Sequence, residues 1–257
     1  MVLSHTEVRT GSVFEEKTSN SKLLKDPKME KLMKTSLEYY KLKAKEIYDD
    51  VSENNQAVIK SEVEGVNLVV FPHVYPSHKF RTTGFVLTNL KDIIKGKKVC
   101  DMGCGPGIVG LFALNNGADQ VVQADISPFA VENARENNTL HGLDEQKIRT
   151  YQSNCFDNVP KEIFDVIVFN MPYHCDKIKI DDPLKYAFYD PAFVSIKKFL
   201  KQAREYSHKE TQIFIAFSNK GETGLLEKIF KQNGYNWELW KIANTDQKYD
   251  NRIYRLT

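Results

Sequence analysis

From residue 29 to residue 51, apolar side chains recur at Met29, Leu32, Met33, Leu37, Tyr40, Ala44, Ile47, Tyr48 and Val51. Spacings of three and four put them on one face, which predicts a single amphipathic helix over about 27–51. Asp26-Pro27 supplies its start, a carboxylate N-cap followed by proline at the first helical position. Ahead of it, residues 1–25 are rich in Ser, Thr, Lys and Glu and read as a mobile tail. Beyond it, Gln56–Glu64 and Val66–Val74 read as two strands around Glu64-Gly65, with Pro72 and Pro76 ending the second.

From about residue 80 the pattern changes to alternating helices and strands. Helices are predicted at 84–95, 107–116, 128–141, 191–207 and 222–232. Strands are predicted at 98–102, 120–125, 147–152, 164–169, 211–217, 235–242 and 250–256. Such alternation implies an α/β fold, a mostly parallel sheet with helices on both faces. No helix separates the last two strands, so one of them must run antiparallel. The chain thus divides into a tail (1–25), a helix and hairpin (26–80) and an α/β domain (81–257).

Composition narrows the class. Hydrophobic residues are 41% and charged residues 27% of the 257, ordinary for a globular protein with a sizeable core. No run of 18 apolar residues suggests a membrane span, and Met1–Glu7 lacks the basic flank and apolar stretch of a signal peptide. Four scattered cysteines make no disulfide scaffold. A cytoplasmic protein is expected. A net charge of +2 is no footprint for wrapping a nucleic-acid backbone, though it leaves room for a single-site nucleic-acid enzyme. Lys95-Gly96-Lys97-Lys98 reads as a solvated turn.

The chemistry gathers at two strand ends. Asp101-Met102-Gly103-Cys104-Gly105-Pro106-Gly107 lies between a strand and a helix, and its glycines let the backbone approach a ligand closely. Asp125 ends the next strand, where a carboxylate can accept two ribose hydroxyls. Gly105, Gly107 and Gly110 also spell the dinucleotide pattern G-x-G-x-x-G. A pyrophosphate would be repelled by Asp101, whereas a ligand with a sulfonium and an ammonium would be attracted. The segment resembles the first motif of class I S-adenosylmethionine-dependent methyltransferases. That resemblance implies a Rossmann-like seven-stranded sheet of order 3-2-1-4-5-7-6, counted from strand 98–102. It implies S-adenosylmethionine as cofactor, held by Asp101, Gly103, Cys104, Gly105, Gly107, Asp125 and Ile126. Asn154 stands where many members carry an aspartate facing the adenine, with Cys155 beside it.

The strand Phe164–Phe169 delivers Asn170-Met171-Pro172-Tyr173 to the same end of the sheet. This tetrapeptide resembles the Asn-Pro-Pro-Tyr motif of methyltransferases that act on planar nitrogen, including protein-glutamine methyltransferases and adenine-amine methyltransferases. A delocalised amide or aryl-amine nitrogen is a poor nucleophile, and two acceptors that hold both its N–H groups orient it. The Asn170 side chain, which also borders the cofactor, and the Met171 carbonyl supply those acceptors. Met171 replaces a proline and keeps the carbonyl, while Pro172 retains the motif's second proline. Tyr173 offers a stacking face. The expected catalytic set is therefore Asn170, Met171, Pro172 and Tyr173, with Tyr173, His174 and Thr83 at the acceptor. Arg81-Thr82-Thr83-Gly84 resembles the segment before the first helix of the glutamine enzymes, with Gly84 where an acid is typical.

His73 and His78 are more readily surface histidines than site residues. Cys100 and Cys104 have no matching Cys or His pair, so no metal site is expected. Asp181, Asp182 and Asp190, in the loop after the acceptor motif, read first as a solvated loop and otherwise would suit a cationic or amine-bearing acceptor. The expected reaction is N-methylation of a planar amide or amine, protein glutamine among the acceptors. A small-molecule N-methyltransferase is the main alternative; an adenine methyltransferase, a nicotinamide oxidoreductase and a silent cofactor-binding subunit follow. Protein or small-molecule acceptors are favoured over nucleic acid, no membrane partner is expected, and the oligomeric state is open.

Overall fold

The computed structural model describes residue 41 and residues 44–244 and 250–257. The expected tail and most of the expected first helix lie outside the described residues. The described remainder of that helix, α1, covers 44–54. An antiparallel hairpin follows, β1 (Ile59–Val63) and β2 (Val66–Val70), turning at Glu64-Gly65.

Seven strands form the main sheet: β3 (Lys98–Met102), β4 (Gln120–Asp125), β5 (Ile148–Gln152), β6 (Phe164–Asn170), β7 (Ser207–Ser218), β8 (Trp237–Asn244) and β9 (Asp250–Leu256). Their spatial order is β5-β4-β3-β6-β7-β9-β8. β9 alone runs antiparallel to its neighbours, as the missing crossover helix requires. This is the Rossmann-like sheet that the resemblance implied. The other helices are α2 (Arg81–Leu90), α3 (Ile108–Asn115), α4 (Pro128–Leu140), α5 (Val194–Ala203) and α6 (Thr223–Gln232).

The central strands are apolar along their length because both faces are covered. Val99, Val121, Val166 and Phe214 pack with Leu87 and Leu111 on one side. Cys100, Val122, Ile167 and Ile215 pack with Phe199, Phe230 and Tyr254 on the other. This is the period-two alternation of a strand applied to two cores. Strand order reverses between β3 and its neighbours β4 and β6, which opens a crevice beyond their carboxyl ends.

Several boundaries differ from expectation: β1 starts at Ile59 and not 56, β2 ends at Val70 and not 74, and α2 ends at Leu90 and not 95. α2 begins at Arg81, three residues early, so Thr82 and Thr83 lie in its first turn. The single helix expected over 191–207 is broken. Ala192 (φ 55°) and Phe193 (φ 53°) are left-handed, α5 starts only at Val194, and β7 already begins at Ser207.

Candidate active site

The glycine loop follows β3 and is bent by three left-handed glycines, Gly103 (φ 64°), Gly105 (φ 54°) and Gly107 (φ 87°). The N–H groups of Gly103 and Cys104 donate to the Ala124 carbonyl at 2.7 and 3.1 Å, tying the loop to the end of β4. The glycines answer two needs. A Cβ on Gly107 would stand 2.6 Å from the Gln123 amide nitrogen, and one on Gly110 2.5 Å from it. A Cβ on Gly105 would meet nothing nearer than Tyr75 at 4.0 Å. Gly107 and Gly110 therefore permit close helix-to-sheet packing, while Gly105 supplies the turn.

Two carboxylates hold this loop. Asp101 is buried, and its Oδ2 accepts from the Gly110 N–H of α3 at 3.1 Å. Sequence reasoning gave Asp101 to a cationic ligand and missed this structural bond. Burial pushes its carboxyl up to about 8, opposed by the Gly110 N–H and assisted by the Asp125 charge. Asp125 accepts from the Gly105 N–H (2.9 Å) and the Ser127 N–H (2.9 Å), one bond per oxygen. A carboxylate has about four lone-pair sites, so acceptor capacity remains for a ligand. Burial raises its pKa too, against the pull of the Gly105, Ser127 and Ile126 N–H groups.

A cavity of about 490 Å³ runs from this loop to the end of β6. Every sequence-predicted site residue lines it: Asp101, Gly103, Cys104, Gly105, Asp125, Ile126, Asn154, Cys155, Asn170, Met171, Pro172, Tyr173, His174 and Thr83, with the sole exception of Gly107. Gly107 instead donates back to the Cys104 carbonyl at 2.9 Å and begins α3. The two cysteine thiols are buried and raised by that burial, Cys155 to about 12, which keeps them unreactive. Cys155 holds φ 54°, a left-handed turn that carries the chain from β5 past the cavity.

At the far end, the Tyr173 hydroxyl lies 3.5 Å from Asn170 Oδ1, and the Tyr173 ring packs edge-on against Phe217 at 5.4 Å. Burial pushes Tyr173 up to about 12. Burial pushes His174 down to about 4, ahead of the opposing Asp176 charge, so its imidazole is neutral near pH 7. Thr83 is buried on the cavity wall, and its hydroxyl has no hydrogen-bond partner. An orphaned hydroxyl, an open glycine turn and a half-engaged carboxylate in one cavity fit a ligand with hydroxyl and carboxylate groups.

The sequence missed the aromatic wall. Tyr75 and Phe80 stack at 4.7 Å with a 12° interplanar angle, and Phe188 meets both edge-on at 5.8 and 6.1 Å. Phe188 is more than 100 residues from the Tyr75–Phe80 stretch, so no local spacing announces the cluster. The three loop aspartates are already engaged. Asp181 pairs with Lys185, and Asp182 accepts from the Tyr48 hydroxyl (2.6 Å) and the Leu184 N–H (2.9 Å). Asp190 caps α5 through the Ser195 (2.8 Å) and Ile196 (3.0 Å) N–H groups. None of the three lines the cavity. Among the described residues, no cluster of His, Cys, Asp or Glu could hold a metal ion, and no helix is long and apolar enough to cross a membrane.

Comparison with known proteins agrees with this geometry. The model of the methyltransferase small domain matches residues 66–236. A Methanocaldococcus jannaschii protein named as a candidate protein N5-glutamine methyltransferase is 37% identical over 129 residues, 49% of this chain and 62% of that one. A ribosomal protein L11 methyltransferase of Caldanaerobacter subterraneus is 32% identical over 60% of this chain and 49% of its own. The matched stretch thus spans about half to three-fifths of those relatives. Among solved structures, the T. thermophilus 16S rRNA N2 G1207 methyltransferase, in complex with S-adenosylmethionine and guanosine, superposes with a TM-score of 0.56. It is 19% identical, over 76% of this chain and 49% of that one.

Proposed function

Since the chain belongs to the methyltransferase small domain family, we propose that it transfers a methyl group from S-adenosylmethionine to a planar amide or amine nitrogen. The observation that carries this reading is one cavity shared by the Gly103–Pro106 turn with Asp125 at one end and Asn170 with Tyr173 at the other. Bound there, S-adenosylmethionine supplies an electrophilic methyl group on a sulfonium. Asp125 accepts from the ribose hydroxyls with the lone pairs left free by Gly105 and Ser127. Asn154 and Ile126 border the adenine. The Thr83 hydroxyl gains a partner on the amino-acid portion.

Asn170 Oδ1 accepts one N–H of the acceptor nitrogen, and the Met171 carbonyl accepts the other. Holding both hydrogens turns the nitrogen lone pair toward the methyl group, and these fixed dipoles need no reorganisation during transfer. Met171 is fully buried, so packing supplies the rigidity that proline would give its backbone. The Tyr173 ring, seated on Phe217, provides the face against which the planar group lies. His174 stays neutral and lines the wall. Glutamine amides and nucleobase amines share this recognition, and the names of the relatives include protein and ribosomal RNA methyltransferases.

The test is incorporation of labelled methyl groups from S-adenosylmethionine into a cell lysate. Asn170→Ala should lower incorporation by ~100-fold or more, as removal of one preorganised contact does. Affinity for S-adenosylhomocysteine, measured by calorimetry, should stay near the parent value. Incorporation at the parent rate would remove Asn170 from the chemistry; collapse of cofactor affinity alone would place it in the cofactor pocket.

A further inference from the structure

The acceptor end of the cavity holds a row of four side-chain oxygens, drawn from α2, β9 and the end of β6. Thr82, in the first turn of α2, donates its hydroxyl to Asn251 Oδ1 at 2.9 Å. The Thr82 hydroxyl also forms a side-chain hydrogen bond with Tyr173, which opposes the upward push of burial on that phenol. The Tyr173 hydroxyl in turn faces Asn170 Oδ1 at 3.5 Å. All four residues line the cavity, and Thr82 and Asn251 are buried. Sequence reasoning missed Asn251, which lies beyond the residues 66–236 that the family model matches.

The fold fixes Asn251 in place. It pairs with Ser218 in the β7–β9 register, and Ser218 follows Phe217, the ring on which Tyr173 is seated. The adjoining Asp250 is pinned on three sides. Ser218 Oγ donates to its carbonyl (2.7 Å), Asn219 Oδ1 accepts its N–H (3.1 Å), and its carboxylate holds Arg252 with both oxygens (2.7 and 2.9 Å).

Counting protons shows what such a row can do. The amide oxygen at each end only accepts, and the two hydroxyls between carry one proton each. Three gaps share two protons, so one gap is always without one. In one arrangement Tyr173 donates to Thr82 and Thr82 to Asn251, which leaves Asn170 Oδ1 open. In the other, Tyr173 donates to Asn170, and a second donor arriving at that oxygen must compete for its electron density. The 3.5 Å separation is long beside the ~2.7–2.8 Å usual for an O–H···O bond, so the hold of Tyr173 on Asn170 is the weaker one.

We propose that Thr82 and Asn251 are positioning residues for methyl transfer, drawing the Tyr173 proton away from Asn170 Oδ1 so that this oxygen accepts the N–H of the acceptor nitrogen. This rests on the methyl-transfer reading for the role of Asn170. Asn251 is the end of the row: without its oxygen the Thr82 proton turns to Tyr173, and the Tyr173 proton caps Asn170.

The experiment follows the initial rate at which the full chain, saturated with labelled S-adenosylmethionine, passes methyl groups into a cell lysate. Thr82→Val, which keeps the side-chain shape, and Asn251→Ala should each lower that rate about fivefold, the worth of one neutral hydrogen bond. Thr82→Ser, which restores the hydroxyl, should recover most of the loss. In a Tyr173→Phe background, which has no proton to misdirect, neither substitution should lower the rate further. Affinity for S-adenosylhomocysteine by calorimetry should stay at the parent value throughout. Should Asn251→Ala fail to fold, Thr82→Val decides alone. A parent rate in Thr82→Val, a matching loss of S-adenosylhomocysteine affinity, or the same fivefold loss in the Tyr173→Phe background would overturn the proposal, the last by making the role merely structural. A readout without turnover stands beside these. The urea midpoint shifts of Thr82→Val and Tyr173→Phe should sum to more than the shift of the double variant, because one bond is lost in all three; additive shifts would overturn the row itself. If Asn170→Ala labels at the parent rate while those shifts stay non-additive, the methyl-transfer reading falls and the hydrogen-bonded row stands.

Discussion

Gly107→Ala separates two costs that glycine avoids in the loop. The residue sits at φ 87°, where an L side chain costs roughly 1–2 kcal/mol. The new Cβ would also stand 2.6 Å from Gln123 Nε2 and 3.2 Å from Ala134 Cβ. Gln123 cannot swing away cheaply. It is fully buried, its Nε2 donates to the Gly107 carbonyl at 3.0 Å, and its Oε1 accepts from Asn138 (3.0 Å) and Thr150 (2.8 Å). Overpacking of this kind costs about 1–3 kcal/mol, so the total is about 2–5 kcal/mol. Two neighbours serve as controls. Gly105→Ala, with open space at its Cβ, should cost only the backbone share, about 1–2 kcal/mol. Gly110→Ala, in ordinary helical geometry but 2.5 Å from the same amide, should cost the clash less about 1 kcal/mol of helix propensity. Urea unfolding followed by fluorescence and circular dichroism gives the three differences. If Gly107→Ala is no more destabilising than Gly105→Ala, the packing of Gln123 against the loop does not limit the residue at 107.

Other outcomes follow from the charges and contacts described. The Asp101 carboxyl, raised to about 8 by burial, holds more protons folded than unfolded between about pH 4 and 8. Its contribution to stability is therefore complete at low pH and lost as pH rises through 8. Asp101→Asn should flatten the fall in melting temperature of the ligand-free protein over that range, and an unchanged profile would remove Asp101 as its source. His174, lowered to about 4, binds fewer protons folded than unfolded, so it opposes stability as pH falls from about 6.5 toward 4. Its imidazole resonances should titrate below pH 5 by NMR, and a midpoint near 6.5 would contradict its burial. Tyr48→Phe removes the hydrogen bond to Asp182 and should cost about 1 kcal/mol in urea unfolding, since the pair is partly exposed; an unchanged midpoint would mean that this bond does not hold α1 to the loop.

Much of the architecture was legible because burial leaves a mark on neighbouring residues. The apolar runs of β3 and β6 read directly as covered strands, and the lack of a helix before β9 required its reversed direction. What escaped has non-local causes. The break before α5 rests on left-handed Ala192 and Phe193, residues without the signature of glycine or asparagine. The early start of α2 has Phe80 at its N-cap and no capping side chain to announce it. Asp101 could be placed at a strand end from sequence, but its bond to Gly110 depends on how α3 docks. Of the aspartates after Tyr173, Asp182 is engaged by Tyr48, 134 residues away and out of sight in a linear reading, whereas Asp181 and Asp190 are engaged by Lys185 and the first turn of α5, within six residues of them.

The hairpin also shows how asparagines guard a strand. Asn137 of α4 accepts from the Val69 N–H (2.8 Å) and returns its amide to the Val69 carbonyl (2.8 Å), while Asn133 accepts from the Phe71 N–H (2.8 Å). These side chains stand in for a third strand along β2, whose outer backbone groups would otherwise be open to pairing with another chain. On the other margin, β1 turns Lys60 and Glu62 outward. Replacing Asn133 and Asn137 by leucine would leave a bare edge of alternating valines and leucine, the pattern that seeds cross-chain strand pairing. Such a variant should betray itself first by self-association on standing, since a β-edge without its amide cover recruits the next copy of the same segment.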